Sequence, residues 1–86
     1  MDEEDLQMAL IRSFKMKTLN RGTVHPTRVD CDWAVFERDG KRLLQLSTYG
    51  SDERQDKGTV SQTLQLDKKA ARKLIGILHR AFPGTN

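Results

Sequence analysis

The sequence predicts an α+β domain, a four-stranded antiparallel sheet followed by a C-terminal amphipathic helix in the order ββββα, and three observations carry that prediction. Asp39-Gly40 lies between two runs of alternating apolar and polar residues and supplies the positive φ angles that a two-residue hairpin turn demands. A two-residue period recurs from Val60 to Leu66. After Asp67 the period becomes helical, and Pro83-Gly84 ends it.

Taken in order, the N-terminal residues fit two elements. Leu6, Leu10, Ile11 and Phe14 line one side of a helix, while Phe14, Met16 and Thr18 alternate with Lys15 and Lys17 as in a strand. We read residues 1–10 as a frayed or helical acidic extension and place a first strand at about 12–20. Asn20-Arg-Gly22 turns the chain, and His25-Pro26 marks irregular backbone. Val29, Cys31, Trp33 and Val35 then alternate with Asp30, Asp32 and Ala34, which assigns the first set to the core and the second to water. Leu44 and Leu46 alternate with Gln45 and Ser47 beyond the turn. A polar loop from Gly50 to Gly58 leads to a strand with Leu64 and Leu66 on one face and Ser61, Thr63 and Gln65 on the other.

The helix opens on Asp67, a good N-cap, because its carboxylate can accept from a free backbone N–H of the first turn. Its apolar residues, from Ala70 to Phe82, fill a sector about 160° wide, as expected of a helix lying on a sheet. The other side carries Lys69, Arg72, Lys73, His79 and Arg80, with Gly76 at its centre.

A chain of 86 residues is one domain, residues 1–86, and buries only about 60 to 65% of the surface its unfolded form exposes. Homodimerisation is the expected supplement. The lone Cys31 allows neither an internal disulfide nor a cysteine metal cluster, which suits a reducing compartment. The start is acidic where a signal peptide is basic, and no apolar run approaches the roughly 20 residues of a membrane span, so a cytoplasmic, membrane-free protein is expected. Net charge is +3, yet Met1-Asp-Glu-Glu-Asp holds four acids and all 15 lysines and arginines lie beyond it. Such a tail can compete with an anionic ligand for a basic body, although most are simply solvated.

Catalysis finds little support. His25 stands beside a proline and His79 on the helix, neither within a nucleophile–base pattern, and Cys31 falls on the apolar alternation as a small core residue. Asp30 and Asp32, with Glu37 or Asp39, form the kind of carboxylate set that holds a divalent cation in nucleases, but a solvated strand face explains them more simply. No phosphate-binding glycine loop, dinucleotide fingerprint or zinc spacing occurs, so no enzyme, cofactor or metal is expected.

The water-facing side of the sheet is richer. It presents amides and hydroxyls with two aromatics, a surface on which Phe36 and Tyr49 can stack bases while Lys15, Lys17, Lys41, Arg42, Arg54 and Lys57 track phosphates. The plain alternative is an ordinary solvated sheet face, and Asp30 and Asp32 there would repel phosphate. A second candidate surface is the helix face of Lys69, Arg72, Lys73, Gly76 and Arg80, suited to an acidic protein partner. Lys68 and Lys69 oppose the helix dipole in the first turn, and Gly76 costs about 1 kcal/mol in a helix interior relative to alanine.

Glu37-Arg-Asp-Gly-Lys-Arg-Leu-Leu-Gln-Leu46, an aromatic at Tyr49, Lys57-Gly58, a strand ending at Leu66-Asp67 and a closing helix together resemble the whirly-like single-stranded-DNA-binding transcriptional coactivators, the positive-cofactor-four family. The resemblance covers about half of the chain, from Val35 to Leu78. Lys57-Gly58 precedes a longer strand than in that family, and Ser47 and Gly50 stand where it has arginine and often tryptophan. The resemblance implies a homodimer whose curved sheets hold single-stranded DNA, and with the sheet-face reading the expected function is a homodimeric module that binds single-stranded DNA or RNA without base specificity. A protein-interaction or regulatory subunit docking through its basic helix face is the alternative.

Overall fold

The structure, a computed structural model, describes residues 8–26, 28–49 and 60–85. Its elements are β1 (Met8–Leu10), β2 (Cys31–Arg38), β3 (Lys41–Tyr49), β4 (Val60–Leu66) and one helix, α1 (Lys68–Ala81). The four strands form one sheet in the order β1-β4-β3-β2, and the helix follows, which is the α+β ββββα arrangement expected.

The sheet is mixed, where a purely antiparallel one was expected. β2–β3 and β3–β4 are antiparallel, whereas β1 runs parallel to β4, with Met8 opposite Thr63 and Leu10 opposite Gln65. No hairpin dictates the direction of β1, because residues 11–30 carry the chain from the β4 edge to β2 at the other edge. The strand expected at about 12–20 is absent, and residues 8–10, read as extension, supply the edge strand instead. Ile11 prolongs the pairing by donating its N–H to the Gln65 carbonyl at 2.9 Å. The alternation of Phe14, Met16 and Thr18 forms no strand face: Phe14 is half-buried, but Met16 is 93% exposed and Thr18 is exposed with it.

The hairpin and the helix ends follow the sequence. Asp39 (φ 54°) and Gly40 (φ 78°) both adopt the left-handed conformation of a two-residue turn, which pairs Arg38 with Lys41. Asp67 caps α1 by accepting the Ala70 N–H at 2.8 Å. At the other end the Phe82 N–H returns to the Leu78 carbonyl at 2.8 Å, and Gly84 takes the left-handed conformation (φ 94°).

The core departs most from expectation. Strand register places Trp33, Val35, Leu44, Leu46, Leu64 and Leu66 on one face of the sheet, as the alternation predicts. That face is open in the single chain. Leu66 is 2% exposed and Ala70 lies buried in the first turn of α1, but Trp33 is 70% exposed and Val35, Leu64 and Cys31 are exposed with it. The cause is the path of the helix: α1 packs on β4 and then leaves the sheet, so that every residue from Ile75 to Thr85 is exposed. The helix does not lie across the sheet.

Candidate nucleic-acid interface

The opposite face gathers the polar platform. Asp32, Ala34, Phe36 and Arg38 of β2, Lys41, Leu43, Gln45, Ser47 and Tyr49 of β3, and Thr63 and Gln65 of β4 share it by register. Ser47 and Thr63 are 8% and 5% exposed, because their short side chains sit between taller neighbours along each strand, Gln45 and Tyr49 on one and Gln65 on the other.

Three side-chain pairs stiffen this face. The Ser47 and Thr63 hydroxyls lie 3.3 Å apart, Gln65 Nε2 donates to Gln45 Oε1 at 3.0 Å, and the Tyr49 hydroxyl donates to Asp32 Oδ2 at 2.7 Å. The last contact raises the Tyr49 pKa, first because the phenol must stay protonated to donate and then because the Asp32 charge opposes a phenolate. Each Gln keeps capacity beyond its bond to the other: the Gln65 carbonyl oxygen and the Gln45 amide group remain for a ligand.

The expected site residues divide. Phe36, Tyr49 and Lys41 share the polar face, the two aromatics half-buried and the lysine exposed at the hairpin end. Arg42 does not join them. It faces the apolar side, where its Nε lies 3.7 Å from Glu37 Oε2, because alternation puts residues 42, 44 and 46 together. Lys15 and Lys17 are exposed in the irregular stretch after β1 and so edge no strand, contrary to the sheet-face position expected of them. Arg54 and Lys57, like the acidic residues 2–5, lie outside the described residues.

Arg38, absent from the expected set, faces Lys41 across the turn and gives the platform a second cation. The signal was available, since Arg38 continues the alternation of Asp32, Ala34 and Phe36. Lys69, Arg72, Lys73, Gly76 and Arg80 are all exposed on α1, and no Asp or Glu occurs within the helix. Among the described residues no group of three or more His, Cys, Asp and Glu side chains is placed to hold a metal ion, and no helix is long and apolar enough to cross a membrane.

Comparison with protein-family models, with curated proteins and with solved structures finds no match.

Proposed function

We propose that this chain is a small homodimeric module that holds single-stranded nucleic acid, DNA or RNA, against the polar face of its sheet without reading base identity. The observation that carries the reading is the joint placement of Phe36 and Tyr49 on one face of amides and hydroxyls, with Arg38 and Lys41 at one end. Phe36 pairs with Leu43, and Tyr49 lies six residues further along β3, so the aromatics stand about 20 Å apart and engage different bases. Stacking on an aromatic face tolerates any base, and the Asp32 bond restrains the Tyr49 ring by its hydroxyl rather than by its faces. The charge of Asp32 directs phosphates away from Tyr49, toward Arg38 and Lys41. The likeness in motif order to the whirly-like coactivators points the same way.

A second reading has its own observation: α1 exposes basic residues unrelieved by any acid within the helix, a surface fit to dock on an acidic protein. The two separate by paired variants in one single-strand binding assay. Tyr49→Ala weakens binding about tenfold or more on the first reading, and Arg72→Glu leaves Tyr49-dependent stacking in place. Unchanged affinity in Tyr49→Ala removes the sheet face as the site.

A further inference from the structure

Beyond Leu66, which is buried, and Leu44 and Leu46, which are half-buried, the described residues leave the large apolar side chains of the open sheet face and of the second half of α1 exposed. Trp33, Val35 and Leu64 are exposed on the sheet, and Ile75, Leu78 and Phe82 are exposed on the helix. These six side chains are between 41% and 70% exposed, apolar area that a partner would bury. A stable interface needs only about 800 Å² from each partner.

We propose that two copies of the chain pair through this sheet face and the apolar side of α1, so that both surfaces become the shared core of a two-fold dimer. The occupant is a second copy because the deficit belongs to folding itself. Among described hydrophobic residues only Leu66 and Ala70 are buried, too few to offset the chain entropy of a domain. The missing core must therefore be present whenever the chain is folded, and only the chain itself is always available at equal number. A two-fold pairing suits what each copy offers, one bare sheet face and one bare helix stripe, since each surface is then covered twice by the same contact. Charge agrees with this placement: the apolar sector of α1 has no ionisable group, and the Glu37–Arg42 pair sits at the hairpin end of the sheet face, where it forms a polar rim.

This inference names the pairing surface of the homodimer proposed above and does not depend on its ligand. Nucleic acid is left out of the test, so failure of the two readings is told apart. Trp33 is the sole tryptophan and lies on the proposed contact face, so its fluorescence reports on pairing. Light scattering on the whole chain is expected to give twice 9.8 kDa, with blue-shifted Trp33 emission that moves red on dilution and a melting temperature that rises with concentration. Ile75→Glu is expected to abolish the dimer and the blue shift together. Should that variant simply unfold, the dilution series on the unaltered chain still decides. A folded species of 9.8 kDa with concentration-independent melting overturns the proposal and gives the apolar face to a different protein. A dimer whose Trp33 emission stays that of indole in water overturns it as well.

Discussion

The Tyr49 hydroxyl donates to Asp32 Oδ2 at 2.7 Å, a diagonal contact across the β2–β3 pair, since Asp32 sits directly opposite Ser47. One bond thus ties the platform's terminal aromatic to the nearest negative charge on its face. Tyr49 is the only tyrosine, so its titration can be followed by tyrosinate absorbance without interference. Its pKa lies above the ordinary tyrosine value, so the bond contributes stability that is fully present below that value and lost as pH rises through the raised one. Asp32→Asn is expected to bring the titration back toward the ordinary value. An unmoved titration would remove Asp32 as the cause.

The same substitution bears on ligand binding. Taking one negative charge from the face is expected to tighten single-strand binding severalfold at low salt and less at high salt, because the repulsion it relieves is screened. Anisotropy titrations of Asp32→Asn at two salt concentrations check this.

The buried Ser47 and Thr63 hydroxyls satisfy each other at 3.3 Å. Ser47→Ala alone leaves Thr63 with a buried hydroxyl lacking this partner, and a loss of about 1 to 3 kcal/mol is expected in denaturant unfolding. Combining Ser47→Ala with Thr63→Val is expected to cost less than the two single losses added together, the coupling that a double-mutant cycle measures.

Two glycines respond oppositely to alanine. Gly40 holds φ 78°, so Gly40→Ala strains the hairpin and costs of order 1 kcal/mol or more. Gly76 is in ordinary helix, and a Cβ there meets nothing within 4 Å, so Gly76→Ala is expected to stabilise by about 1 kcal/mol. If the bare backbone at Gly76 serves a partner instead, that variant melts higher and binds the partner less well.

Removing the helix cap by Asp67→Ala is expected to cost about 1 kcal/mol, read as a lowered melting temperature. No change would mean that the first turn of α1 is held by the packing of Leu66 and Ala70 alone.

Local chemistry was legible in the sequence wherever a residue dictates its own backbone: Asp39-Gly40 for the turn, Asp67 for the cap, Pro83-Gly84 for the stop. The faces of β2, β3 and β4 were legible too, since a pleat of period two leaves one assignment for each residue. What depends on distant pairing was not. Three residues, Met8–Leu10, are too few to show a period, and their parallel partner lies more than fifty residues away, so the sequence alone favours the longer run at 12–20. The path of α1 away from the sheet was equally hidden, because a helix that lies on its own sheet and one that leaves it carry the same apolar stripe. In the site, Arg42 lies beside the turn, yet the alternation of β3 puts it on the face of Glu37 and not on the polar one.

Binding of single-stranded nucleic acid to the polar sheet face, as proposed, is read by fluorescence anisotropy. A labelled single strand of about 20 nucleotides, long enough for several bases to stack, is titrated at low and moderate salt with duplex of equal length as competitor. Salt-sensitive binding that prefers the single strand and weakens in both Tyr49→Ala and Lys41→Ala is expected. Absence of binding at low salt, or binding that neither substitution alters, would contradict the proposal.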